Sequence, residues 1–322
     1  MLYSPSETSL VAGCRQRLDL FPFLGDMLAA ASMACRNQRG LKNVKHKLKF
    51  IVRCLSSPRL TQAWFELWKA PALAPLLQSH PRVLLKLQRC YLRSGFATRA
   101  RWQMLQQHYC FTSKHLSSAA LREIFTPAGV LLAEIPAAGV NHYSVRLFYH
   151  DAYEKEGELS LIFYDEQIRE RAFVLSFCVS SCCPGRREIF IGGLQGFKAA
   201  NERESVVAIT RGMFGLRPKA LLLFALQQCA LHWNVHAIYA VSNKTRIHSP
   251  KHRAINADYG QFWIESSGQF DADGDFVLPA AFVPRNVETI RPNKRTLYRR
   301  RYEMLDTLGE TIKKNLAGLR GQ

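Results

Sequence analysis

Tyr143-Ser-Val-Arg-Leu-Phe-Tyr149 and Phe173-Val-Leu-Ser-Phe-Cys-Val179 decide how this chain folds. The first stretch alternates apolar and polar residues, the period of a strand with one half-exposed face. The second is more continuously apolar, as a strand in the middle of a sheet is. Residues 159–164 and 188–192 carry the same β-branched and aromatic character. Asp151, Glu156–Gly157 and Pro184–Gly185 stand between these runs as turn formers. The four runs therefore read as a meander of antiparallel strands.

Working outward toward the C-terminus, residues 201–213 and 218–233 read as helices, with Pro218 in the first turn where its missing N–H costs nothing. Residues 235–242 read as a strand, and Tyr259-Gly-Gln-Phe-Trp-Ile-Glu265 as a last one. Strands, helices and a further strand give an α/β (α+β) domain, with a mixed, mostly antiparallel sheet flanked by helices. Residues 296–319 form a basic helix expected to dock on the body.

Toward the N-terminus the texture is helical. Leu41, Val44, Leu48, Ile51, Val52 and Leu55 recur at spacings of three and four, beside Lys42, Lys45, Lys47 and Lys49. This stripe is expected to pack into the core and leave its lysines in water; lying on a membrane surface or gripping a partner is the other reading. Residues 60–69, 81–93 and 98–109 are further helix candidates, punctuated by Pro71, Pro75 and Pro81. The linker-like Ile135-Pro-Ala-Ala-Gly-Val-Asn-His-Tyr-Ser144 divides a helical region, 1–135, from the α/β domain, 136–284, and a C-terminal helix lies in 285–322.

The charge follows the same division. Residues 1–135 hold 19 Lys+Arg against 6 Asp+Glu, a net +13. Residues 136–284 balance, and residues 285–322 are +6, completing the chain's +19. Basic flanks suit anionic partners: an acidic lipid surface, nucleic acid or an acidic protein. The N-terminus has no basic segment ahead of an apolar one, and no apolar run reaches the length of a transmembrane segment. Nine scattered cysteines then read as reduced thiols. These features imply a cytoplasmic protein, peripheral at the inner membrane if the basic flanks hold lipid.

Candidate chemistry concentrates in the neutral middle. Arg211-Gly-Met-Phe-Gly-Leu-Arg-Pro-Lys219 precedes the most apolar helix. Glycines admit a phosphate to the backbone, cations add charge, and a helix N-terminus presents unpaired N–H groups. Arg211, Gly212, Gly215, Arg217 and Lys219 are the candidate phosphate cradle; a plain turn between helices is the alternative. The stretch is neither a P-loop nor a dinucleotide fingerprint. At a strand end, Ser242 or Asn243 can orient a substrate and Tyr259 can give a proton. Turn formation by Asn243 and ring packing by Tyr259 are the structural alternatives. His248 and His252 sit among cations, which oppose a metal, and Cys178, Cys182 and Cys183 lack a second ligand pair. No metal site is expected, and Glu202 and Glu204 read as helix surface.

Glu188-Ile-Phe-Ile-Gly-Gly-Leu-Gln-Gly196, Arg217-Pro-Lys219, Tyr239-Ala-Val-Ser-Asn243, Asp258-Tyr-Gly-Gln-Phe-Trp263 and the late Arg299-Arg-Arg-Tyr-Glu-Met-Leu305 resemble the VirK/YbjX family of bacterial proteins. The resemblance implies a cytoplasmic Gram-negative protein tied to virulence, envelope remodelling and resistance to cationic antimicrobial peptides. It carries no catalytic residue over. The order of residues 189–193, 211–219, 235–243 and 259–262 is also similar to the GNAT acyltransferases, although residues 198–210 intervene before the turn. That likeness implies acyl transfer from coenzyme A or another acyl thioester to an amine. Arg211, Gly212, Gly215 and Lys219 would hold the diphosphate, Asn243 would order the strand end, and Tyr259 would protonate the leaving thiolate. The alternative is a non-catalytic regulatory or chaperone-like protein that binds through its flanks. The oligomeric state stays open.

Overall fold

The computed structural model describes residues 20–36, 39–135, 143–183, 185–196, 202–247 and 259–321. Helices α1 (Leu20–Ala34), α2 (Gly40–Leu55), α3 (Pro58–Trp68), α4 (Ala74–Ser79), α5 (Thr98–His115) and α6 (Ser118–Ile124) come first. Strands β1 (Val130–Ile135), β2 (Tyr143–Phe148), β3 (Leu159–Asp165), β4 (Glu170–Cys183) and β5 (Arg186–Gln195) follow. Then come α7 (Glu202–Gly212), α8 (Pro218–His232), β6 (Val235–Ala240), α9 (Tyr259–Glu265), β7 (Gln269–Phe270), β8 (Phe276–Leu278) and α10 (Pro292–Gly318).

The strands form one eight-stranded sheet in the order β1-β2-β3-β4-β5-β6-β8-β7. β1 to β5 make the antiparallel meander that the alternation and turn formers imply, and β4 meets β5 across Gly185 with φ +83°, where only glycine sits without strain. β5 and β6 pair in parallel through the α7–α8 crossover. β6 then accepts β8 antiparallel, and β7 closes the edge as a short hairpin. This is the mixed, mostly antiparallel sheet flanked by helices that the sequence implies. α8 is apolar almost all round and accordingly buried, packing on β3, β4 and β6. α5 packs on β4, and α10 packs on β1 and α8 with Met304, Leu305, Leu308, Ile312 and Leu316 inward.

Four expectations change. Residues 259–265 form a helix rather than a strand. Tyr259, Phe262 and Trp263 stand at i, i+3 and i+4 and are all buried, a helical face that the aromatic content disguised as a strand. Residues 81–93 hold only a 3₁₀ turn, Pro81–Leu85, before the chain becomes irregular through Leu92 at φ +63°. The boundary near 136 falls between β1 and β2, so the sheet begins inside the region read as helical. Apart from half-buried Ile51, the stripe on α2 faces solvent: Phe50 and Cys54, on the other side, are the buried residues. The core runs without interruption from Phe23 on α1 to Leu316 on α10.

Candidate functional site

The pairing of β5 with β6 ends at Ile191 and Ala240, after which Val241 N–H donates to Ile191 O. Gly192, Gly193, Leu194 and Gln195 therefore run on beside β4 with their β6 side open to other groups. Tyr259 fills part of that opening. Its hydroxyl donates to Leu194 O at 2.7 Å and accepts from Leu194 N–H at 3.0 Å. Asn243 Oδ1 accepts the Tyr259 N–H at 3.3 Å, fixing the first turn of α9 to the end of β6. Trp263 Nε1 donates to Val241 O at 3.0 Å and pins the second turn. The two residues singled out as catalytic candidates thus do meet, at the carboxyl ends of a parallel strand pair. Burial, followed by the nearby Glu156 charge, pushes the Tyr259 phenol up to about 12. The Arg246 guanidinium lies over its ring at 5.2 Å.

A carboxylate that sequence reasoning passed over completes the group. Glu156 is buried and takes Gln195 Nε2 on Oε1 at 2.6 Å. It lies so close to the strand that a Cβ on Gly193 would stand 2.0 Å from its Oε2, and one on Gly192 would stand 2.2 Å from its carbonyl oxygen. The Gly-Gly pair in β5 is what lets this segment approach. Glu154 and Glu158 flank it, both buried. Glu154 holds Arg82 at 2.6 Å, and Glu158 holds Lys86 at 2.8 Å in a nearly dry setting. Tyr109 donates to the same Glu158 oxygen. The signal was present in the sequence as Glu154-Lys-Glu-Gly-Glu158, three carboxylates at alternate positions of a segment read only as a turn.

The turn 211–219 is built differently from a bare cradle. Phe214 and Gly215 are both left-handed, at φ +52° and +76°. Arg301 of α10 donates twice to Phe214 O, at 3.0 and 2.7 Å, and its guanidinium would sit 2.8 Å from a Cβ on Gly215. Arg217 precedes α8 and pairs with Glu265 at the far end of α9. Arg211 lies with Glu204, Val207 and Ala208 on one face of α7. Gly212 closes α7, and Lys219 opens α8. The turn thus gathers Gly215, Arg217 and Arg301, with Arg211 on an adjoining face. Glu265 lies six residues beyond Tyr259, so the turn stands roughly 9 Å along α9 from the phenol-bearing end. His248 and His252 lie outside the described residues, as do the side chains of Cys182 and Cys183. Among the described residues, no group of three His, Cys, Asp or Glu is placed to hold a metal ion. No described helix is long and apolar enough to cross a membrane.

Residues 39–314 match the model of the family described as "Protein of unknown function (DUF535)". The chain is 31% identical over 288 residues to a protein of Escherichia coli K12 described as uncharacterized protein YbjX, covering 87% of this chain and 86% of the other. Two Haemophilus influenzae proteins, also described as uncharacterized, are 28% and 27% identical over 45% and 40% of the chain.

Proposed function

This chain belongs to the DUF535/YbjX family, and from that premise we propose that it transfers an acyl group from a thioester to an amine on an envelope component or its precursor. The observation that carries the reading is the convergence of Glu156, Asn243 and Tyr259 where the parallel β5–β6 pair stops. Ligands of open α/β sheets sit at such strand ends. The sheet order supports the same reading by analogy, and a fold alone does not fix a function.

Amine acylation needs a base for the amine proton and an acid for the leaving thiolate. Glu156 is the buried carboxylate available as base. Tyr259, held protonated through neutral pH, is the acid. Its proton rests on Leu194 O, so donation requires the hydroxyl to rotate off that carbonyl. Asn243 keeps Tyr259 at the strand end while this happens. Charge supports a diphosphate at the turn, where Arg217 pairs with Glu265 and Arg301 donates to Phe214 O. Arg211, Gly212, Gly215, Arg217 and Lys219 would hold that group of coenzyme A. A bound thioester supplies the activated acyl carbon. The links to virulence, to cationic-peptide resistance and to a cytoplasmic location follow from the family resemblance and belong to this proposal.

The test is a melting-temperature screen with coenzyme A and acyl thioesters, followed by amine acylation assays. A raised melting temperature that Arg211→Ala or Lys219→Ala abolishes is expected. Glu156→Gln is expected to keep the shift and lose turnover. Absence of a shift with every thioester overturns the reading and leaves a non-catalytic scaffold, for which the guanidinium of Arg301 over Gly215 is a structural plug.

A further inference from the structure

Helix α2 carries its apolar row on the wrong side for a core helix. Leu41, Val44, Leu48, Val52 and Leu55 are 88%, 62%, 60%, 59% and 51% exposed. Their 3-4-4-3 spacing makes one continuous stripe along the helix. Phe50 and Cys54 anchor the opposite face in the core, so the helix is fixed with its stripe outward. α1 adds to this surface: Phe21, Leu24 and Leu28, at i, i+3 and i+7, are exposed, and Lys47 of α2 reaches Ser32 of α1 at 3.5 Å.

The border of the stripe is cationic. Lys45, Lys49 and Arg53 each follow a stripe residue by one position, so they run parallel to it about 100° round the helix. α2 contains four lysines, one arginine and no acidic residue. Between α2 and the irregular segment after residue 85 opens a pocket of about 290 Å³, lined by His46, Lys49, Arg53, Arg89 and Lys155 with no carboxylate among its lining residues. Arg89 shares Glu154 with Arg82; the other cations face the opening without such a pair in the described contacts.

We propose that α2 is a docking helix for an anionic lipid bilayer, its Leu/Val stripe entering the boundary between head groups and acyl chains while Lys45 and the cations of the pocket hold lipid phosphates. An apolar row beside a cationic row on a helix fixed to a folded body is the arrangement that binds in the plane of a membrane interface. Nucleic acid would use the cations and leave five aliphatic side chains in water. A second copy of the chain would bring the same cationic border against itself. The proposal is independent of acyl transfer.

The experiment is cosedimentation of the full chain with vesicles of phosphatidylcholine containing phosphatidylglycerol, and with phosphatidylcholine alone. Binding to the first and not the second is expected, weakening as salt rises. Val44→Ser/Leu48→Ser/Val52→Ser and Lys45→Gln/Lys49→Gln/Arg53→Gln are each expected to weaken binding by about tenfold or more. Both triples alter solvent-facing or half-buried groups, and unchanged melting curves confirm that they fold. Leu48→Trp reports depth, with a blue-shifted emission expected on anionic vesicles. Four outcomes overturn the proposal: no vesicle binding, binding indifferent to both triples, an unshifted tryptophan in the sedimented protein, or a dimer that the apolar triple dissociates. If vesicle binding is absent, RNA or acidic-protein binding that survives the apolar triple identifies the cations as the partner's site instead.

Discussion

Lys86→Met tests the buried centre of the molecule. Lys86 Nζ lies 2.8 Å from Glu158 Oε2, with the two side chains 2% and 1% exposed. The ammonium also sits 4.6 Å from the centre of the Tyr149 ring. Methionine keeps the unbranched stem and removes the charge. Glu158 is then left in a dry site with the Tyr109 hydroxyl as its hydrogen-bond donor, and its Oε1 has no hydrogen-bond partner even with lysine present. Removing one member of such a pair costs about 3–5 kcal/mol, most of it the stranded charge rather than the lost attraction. For a chain of this size that lowers the melting temperature by about 6–10 °C, taking about 2 °C per kcal/mol. The double variant Lys86→Met/Glu158→Gln removes both charges and keeps an acceptor for Tyr109. It should recover all but about 1–2 kcal/mol. Urea unfolding of the wild type, both singles and the double gives the coupling energy. A single-variant loss below about 1 kcal/mol, or a double equal to the sum of the singles, refutes the buried-charge reasoning.

Gly192→Ala puts a Cβ 2.2 Å from a backbone oxygen of Glu156, so about 2–3 kcal/mol or more of overpacking is expected in the same assay. Tyr259→Phe leaves the Leu194 N–H and C=O without their hydroxyl partner and should cost about 2 kcal/mol, measured by thermal melting. His108 is fully buried, accepts Val179 N–H on Nδ1, and is held down to about 3, chiefly by desolvation and then by Lys86. Its folded value lies below the unfolded one of about 6.5, so the unfolded chain binds the extra proton and stability falls as pH drops from about 6.5 toward 3. Between pH 6.5 and 5 this group alone should remove about 1.6 kcal/mol, and His108→Gln should abolish that part of the slope in urea titrations at the two pH values. Arg217→Ala breaks an exposed pair with Glu265 and should change stability by less than about 1 kcal/mol.

The strands of the meander were readable because alternation and turn residues are local signals. α8 was readable because a wholly apolar run after Arg217-Pro has one outcome. The orientation of α2 was not. An amphipathic pattern says that a helix has two faces, and only the tertiary anchors Phe50 and Cys54 say which one turns inward. α9 was misread because its aromatic content was weighed above the i, i+3, i+4 spacing of Tyr259, Phe262 and Trp263. Asn243 and Tyr259 were singled out one by one as strand-end candidates; their contact was not legible, because it depends on α9 being a helix. Glu156 was not, because its burial depends on Gly192 and Gly193, residues 36 and 37 positions later, clearing space for it. Arg301 over Phe214 was equally hidden, being a contact across 87 residues.

The packing of α10 on β1 has a consequence for how the chain is made. Asn315 donates to Leu132 O at 2.8 Å across 183 residues, and Leu319 O receives Ser117 N–H at 2.8 Å. The first strand of the sheet therefore waits without its α10 cover until Pro292–Gly318 have been made. Contacts of such long range form late, and an unpaired edge is a site for wrong partners while it waits. A stop codon near residue 290 would remove α10 and leave the first-made strand without that cover.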